Sequence, residues 1–243
     1  MTTAEFVVVG VAVLVASCVQ IIAGFGFALL CMPIMTLAVD VRDAVVVSTL
    51  VGMVSISWQA WVLRADADRE VSNRLCIGAV AGMPFGIVAL RAMSDQSLRL
   101  ILGCAVIIAT LMLIRRINLT HVGARLDLAA GFLSGVLNTS LSTNGPPLVF
   151  TLQARQFDAD RFRGTLVRVF AVSNVVTLVM FSVTGVLTAK GALGAAVALP
   201  AWVAGTALGW PIRARLSGEP FRRLVIALLF VVGVAAIWFA VAG

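Results

Sequence analysis

The residues best suited to chemistry form one run, Asn138-Thr139-Ser140-Leu141-Ser142-Thr143-Asn144-Gly145-Pro146-Pro147. It interrupts an apolar region, residues 126–152, that carries no charge after Asp127. In hydrocarbon every backbone N–H and C=O needs a partner inside the protein, and Pro146 and Pro147 have no N–H. The run therefore predicts a helix that breaks within the bilayer, with the break buried in protein or lining a wet cavity. The plainer alternative is a proline kink whose Ser and Thr hydroxyls bond their own backbone. A break exposes helix N-termini, whose unbonded N–H groups and dipole favour negative charge. Asn144 reads as an N-cap, with Gly145 and the prolines opening the second piece.

A second interruption lies near the N-terminus. Residues 6–39 are apolar, and a straight helix of that length would reach about 50 Å against a hydrocarbon core of about 30 Å. Ala23-Gly24-Phe25-Gly26-Phe27 falls near the middle and Pro33 follows, so two shorter pieces are expected. Glycines at 24 and 26 would let an anion approach the backbone. The candidate substrate-binding residues are Gln20, Gly24, Phe25, Gly26, Asn138, Ser142, Thr143, Asn144, Gly145 and Pro146. Arg168 is a secondary candidate, with snorkelling to the membrane surface as its plainer role. Dipoles and neutral amides suit a small oxyanion; a cation would call for carboxylates or exposed carbonyls.

The elements that must position these residues are membrane helices. The chain is 61% hydrophobic and 12% charged, against about 25% charged in soluble domains. Runs of about 20 apolar residues indicate helices, since barrel strands alternate. Further spans are expected at 44–63, 75–90, 98–114, 164–187, 191–212 and 221–241. The N-terminus lacks the basic segment of a cleavable signal. The formal charge of +7 is explained by arginine in cytoplasmic loops, so no nucleic-acid partner is inferred. Cys18, Cys31, Cys76 and Cys104 have no metal-ligand spacing and read as small buried hydrophobes. His121, in the central loop, reads as solvated. No metal or cofactor is expected.

The plan repeats. An offset of 118 lays Gln20 on Asn138, Leu30 on Leu148, Asp40 on Asp158 and Ser55 on Ser173. An offset of 123 lays Gly82 and Gly86 on Gly205 and Gly209, glycine pairs whose spacing lets helices pack closely. If each broken region crosses once, seven of the 18 basic residues (Arg64, Arg69, Arg74, Arg115, Arg116, Arg125 and Lys190) fall on the opposite side from the rest. If each turns back, only Arg42, Arg91, Arg99 and Lys190 do, which obeys the positive-inside rule far better. The expected fold is an all-α integral membrane protein with two inverted repeats, each a broken or re-entrant helical hairpin followed by three transmembrane helices. The repeats are 1–114 and 126–243, joined by a cytoplasmic linker at 115–125. Loops 64–74, 115–125, 153–163 and 213–223 are then cytoplasmic, and both termini lie outside.

The absences narrow the function. The acids fall in loops or at helix ends, so no intramembrane carboxylate or histidine offers a proton relay. There is no Walker motif. Ser140 and Ser142 have no histidine or buried acid to activate them, which argues against an intramembrane enzyme. The chain resembles the sulfite exporter TauE/SafE family, also called the sulfonate uptake permeases. The carriers of the resemblance are Gln20-Ile21-Ile22-Ala23-Gly24-Phe25-Gly26-Phe27 with Pro33, and Ala130-Gly131-Phe132-Leu133-Ser134-Gly135-Val136-Leu137-Asn138 leading to Asn144-Gly145-Pro146-Pro147. That resemblance implies a secondary transporter or facilitator in the bacterial inner membrane, moving a small anion such as sulfite or an organosulfonate by alternating access. The partners are then the anion and the lipid bilayer, with a homodimer left open. Uptake of another organic anion and a non-transporting scaffold are the alternatives. With both termini outside, a reporter active only in the cytoplasm should be silent when fused after Gly243.

Overall fold

Where the apolar runs end, the helices do not. The computed structural model describes residues 1–23, 26–63, 67–114, 123–155, 157, 159–215, 227, 230, 234, 237 and 238. Nine helices run through the described residues: α1 Thr3–Ala23, α2 Phe27–Met35, α3 Val41–Leu63, α4 Arg69–Ala92, α5 Asp95–Ile114, α6 Ala124–Leu141, α7 Gly145–Ala154, α8 Ala159–Thr184 and α9 Ala189–Arg215. No strand occurs among them. Residues 227, 230, 234, 237 and 238 are helical too; most of the expected span 221–241 lies outside the described residues. Several helices begin before the apolar stretch, with Glu5, Asp43, Glu70 and Asp95 in their first turns. Carboxylates there complement the positive end of the helix dipole. Five helices (α1, α3, α4, α8 and α9) contain segments long and apolar enough to cross a membrane.

Both expected interruptions are present. Between α1 and α2 stand residues 24–26, of which Gly26 is described. It caps α2 with φ 95°, a left-handed backbone that a side chain would strain. Between α6 and α7 stand Ser142, Thr143 and Asn144.

The chain divides into two compact units. The first comprises residues 1–51, 93–114 and 187–243, and the second 52–92 and 115–186. Each draws helices from both halves of the sequence.

In the first unit α2 and α9 both pack against α1. A Cβ on Gly205 would collide with the Leu14 carbonyl oxygen, and one on Gly209 would come within 2.7 Å of the Cys18 carbonyl oxygen. At the start of α9, Lys190 Nζ lies 3.1 Å from Asp43 and 3.9 Å from Asp40, and the Thr188 hydroxyl donates to Asp43 at 3.0 Å. The Met1 side chain lies against Gly194, so the N-terminus and the 40–43 and 188–194 segments gather at one end of this unit.

In the second unit α4 and α6 approach still more closely. A Cβ on Gly78, Gly82 or Gly86 would strike the carbonyl oxygens of Leu128, Phe132 or Val136. In return, one on Gly131 or Gly135 would strike those of Leu75 or Ala79. Lipid tails are as apolar as leucine, so membrane helices associate through such packing. The pairings also fix direction, because α4 and α6 climb together from Leu75 and Gly131 to Met83 and Thr139. Helix α8 runs parallel to α4, from the Thr165–Asp68 contact through Arg168–Asn73 to Thr177–Met83.

The two glycine contacts correspond. The offset of 118 carries Leu14 and Cys18 onto Phe132 and Val136, and that of 123 carries Gly82 and Gly86 onto Gly205 and Gly209. Each conserves its partner carbonyl under the shift. Cys31 is buried as expected, but Cys104 is exposed, because it lies on an outer face of α5 where an apolar thiol can meet lipid.

Gly135→Val should cost more than about 3 kcal/mol or abolish folding, since a carbonyl in a helix cannot retreat from the added atoms. Gly10→Ala meets nothing within 4 Å and should leave thermal stability in detergent unchanged or raised by about 1 kcal/mol or less.

Candidate functional site

The break between α6 and α7 turns the chain back on itself. Ser142 takes a left-handed conformation, φ 53°, and its N–H donates to the Asn138 carbonyl at 2.8 Å. The Thr143 N–H reaches back to the Leu137 carbonyl at 3.2 Å. These bonds satisfy carbonyls that the helix end would leave open. At the top of the returning segment the Ser134 hydroxyl donates to the Asn144 carbonyl at 2.9 Å. At its bottom Arg155 grips Asp127, with Nη2 2.8 and 2.7 Å from the two carboxylate oxygens and Nε at 3.2 Å. Partners on α6 fall from 134 to 127 as those on the returning segment rise from 144 to 155. Helix α7 therefore runs antiparallel to α6, and this region is a hairpin and not a single crossing.

Much of the polarity of the run is spent on the backbone. The Thr139 hydroxyl donates to the Met83 carbonyl at 2.7 Å and to that of Gly135 at 3.1 Å. Ser140 donates to Val136 at 2.7 Å and Thr143 to Leu141 at 3.0 Å. These hydroxyls follow the plainer alternative. Asn138 is buried and donates its amide to the Thr177 hydroxyl of α8 at 2.8 Å. Ser142 is buried and partnered.

Asn144 differs from the expectation. It precedes α7, yet among the described residues its side-chain amide has no hydrogen-bond partner. An N-cap side chain bonds the N–H of the second or third helical residue. In α7 those are Pro146 and Pro147, which have none. The prolines block the cap, and the amide stays available beside the N–H groups of Asn144 and Gly145, which have no partner among the described residues. Gly145 and Pro146 are buried. The break thus presents a small set of neutral donors at the positive end of a helix.

The remaining candidates lie elsewhere. Gln20 is buried and partnered near the end of α1, with Gly26 just beyond, both in the first unit. Gly24 and Phe25 lie outside the described residues, as does His121. Asn138, Ser142, Thr143, Asn144, Gly145 and Pro146 come together in the second unit. Arg168 does not reach them. Its guanidinium donates to Asn73 at 2.9 Å, nine residues and about 14 Å along α8 from Thr177. Among the described residues no group of three or more His, Cys, Asp or Glu could hold a metal.

Two features escaped the sequence reading. Asp127 is 0% exposed, and Arg74 joins Arg155 beside it with Nη1 at 3.6 Å. Opposite charges bracketing the apolar region, Asp127 before it and Arg155 after, were the available signal. Thr177 was the other, a polar position on α8 facing the hairpin. The same end of the unit holds the Arg74–Glu70 and Arg161–Asp68 pairs. Burial pushes the Asp68 carboxyl up, but the Val71 N–H and the Arg161 guanidinium outweigh it and hold the group below its ordinary value.

The model of the family described as Sulfite exporter TauE/SafE matches residues 9–236. The chain is also similar to the "Probable sulfite/organosulfonate exporter TauE" of Cupriavidus necator (strain H16), 25% identical over 224 residues, covering 88% of this chain and 86% of that protein. No solved structure matches it.

Asp127→Ala should destabilise the protein by about 3–5 kcal/mol, because it strands Arg155 beside Arg74 with no counter-charge. The double variant Asp127→Leu, Arg155→Met should cost less than Asp127→Ala alone, as read by thermal unfolding in detergent.

Proposed function

The chain belongs to the sulfite exporter TauE/SafE family, and from that we propose that it exports a small anion, sulfite or an organosulfonate, across a bacterial inner membrane. The observation that carries the site is the turned-back α6–α7 break, where the Asn144 amide and the Asn144 and Gly145 N–H groups meet no described partner. Such donors at a helix N-terminus suit an oxyanion. The family description and the name of the Cupriavidus relative both speak of export, so export is preferred to the uptake alternative. In a cell negative inside, an outgoing anion gains about 2.3 kcal/mol per charge per 100 mV. Energetics therefore demands no coupling ion.

The transport cycle we propose is alternating access between two inverted repeats, 1–114 and 126–243, with 115–125 as the cytoplasmic linker. The correspondence of the α1–α9 and α4–α6 glycine contacts supports the duplication. The hairpin at α6–α7 supports an odd number of full crossings in each half. The end of the second unit that carries Arg74, Arg155, Arg161 and Arg168 is assigned to the cytoplasm by the positive-inside rule. In the first unit Met1 gathers with Lys190 and the 40–43 segment, the arrangement expected of an outward N-terminus. Gln20, Gly24, Phe25 and Gly26 are proposed as the first repeat's share of the substrate path.

Purified protein in liposomes should carry sulfite, and Asn144→Ala should lower the flux about tenfold or more at unchanged thermal stability. Gly145→Leu, which fills the approach to the donors, should lower it further. A scaffold would give no flux in any of the three, and wild-type flux in both variants would remove the break from the path.

A further inference from the structure

Helix α8 carries a buried hydroxyl that no described residue uses. Ser173 is 1% exposed, and its Oγ has no hydrogen-bond partner among the described residues. That is unusual for a serine in a membrane helix, which ordinarily bonds the carbonyl one turn back. Ser17, Ser57, Ser140, Ser182 and Thr184 all do so here, at 2.5 to 2.9 Å. An unpaired hydroxyl in the interior costs stability, so its retention calls for a partner that comes and goes.

Its position in the unit says where that partner would sit. Thr177, one turn further along α8, accepts the Asn138 amide of α6. Helices α6 and α8 both run parallel to α4, so a step of four residues back along each descends by the same amount, about 6 Å. From Asn138 that step leads to Ser134, whose hydroxyl holds the Asn144 carbonyl. From Thr177 it leads to Ser173, on the same face of α8. Ser173 thus stands at the height of the Asn144 turn, on the strip of α8 that faces α6. Asn174 beside it is also buried.

We propose that Ser173 is a third wall of the anion site, donating its hydroxyl to one oxygen of a sulfur oxyanion whose other oxygens meet the Asn144 amide and the Gly145 N–H. The inference rests on the export function proposed above and adds the α8 side of the same site. A pyramidal sulfite or a tetrahedral sulfonate head presents its oxygens in diverging directions, so donors from two helices grip it where one helix terminus alone would not.

The experiment compares wild type, Ser173→Ala and the control Ser182→Ala, whose hydroxyl is already bonded to the Leu178 carbonyl. Sulfite flux into proteoliposomes gives KM, and thermal unfolding is followed with sodium sulfite and with sodium chloride. Ser173→Ala should raise the KM for sulfite about tenfold or more. Its melting temperature without sulfite should stay the same or rise, because an unsatisfied polar group has been removed. Its stabilisation by sulfite should shrink. Ser182→Ala should match wild type. A merely structural role for Ser173 predicts the opposite pair, a lower melting temperature with an unchanged KM. Ser173→Cys, close in volume with a weaker donor, should fall between wild type and alanine, and it decides the matter if the alanine protein does not fold. A wild-type KM in the Ser173 variant that folds overturns this inference alone. Absence of sulfite flux in wild type overturns the export reading and this inference with it.

Discussion

A helix that stops in hydrocarbon exposes carbonyls at its end, and the segment that resumes exposes N–H groups, with no water to meet either. The α6–α7 hairpin resolves this unevenly. Several of its carbonyls are served, those of Asn138 and Leu137 by the turn at Ser142 and Thr143, that of Leu141 by the Thr143 hydroxyl, that of Asn144 by Ser134, and that of Pro147 by Thr151. On the donor side two of the early N–H groups of α7 are deleted outright by Pro146 and Pro147. Among those left without a described partner are the N–H groups of Asn144 and Gly145 and one side-chain amide. Most of the polar groups of the run close the break on its own backbone, and the few donors left over are the ones the proposed export site would use.

Holding such a hairpin requires packing that does not depend on a hydrophobic drive. Glycines on both α4 and α6 let the two backbones meet, and dispersion and weak C–H···O contacts gain from that closeness. The equivalent pair in the first unit is less symmetric. The offset of 118 places Val13 and Ser17 on α1 where α6 has Gly131 and Gly135, so only α9 contributes glycine to that contact. The same offset sets Val9 opposite Asp127, so the ion pair at the base of the α6–α7 hairpin has no counterpart on α1.

The broad outline was legible because it follows from chemistry that sequence states directly. A 34-residue apolar stretch cannot be one straight span, and glycines with prolines mark where it must yield. Positive charges counted by side led to turned-back regions, and α6–α7 does turn back. Other features depend on three-dimensional neighbours that no single run displays. Asn138 looks like a ligand until the Thr177 hydroxyl appears beside it from α8. Asp127 reads as an ordinary helix-start acid, and only the return of α7 brings Arg155 against it. Helix ends ran past the apolar limits because hydrogen bonding along a backbone continues into the interface, where Glu70 and Asp95 are at ease.

One question about the proposed export site is why a chain with 18 basic residues would hold its anion with neutral groups. In the second unit four of the described arginines gather at one end and are occupied. Arg155 and Arg74 meet Asp127, Arg161 meets Asp68, and Arg168 meets Asn73. A guanidinium at the depth of the break would have to be stripped of water, at a cost of several kcal/mol, and would then keep its anion. Release on the far side would work against that attraction, which a membrane potential supplying about 2.3 kcal/mol per charge per 100 mV could not readily overcome. Conduction needs binding strong enough to admit the ion and weak enough to let it leave. Amide and hydroxyl donors at a helix terminus meet that requirement, and the arginines at the end of the unit are placed to raise the local anion concentration without sharing the site.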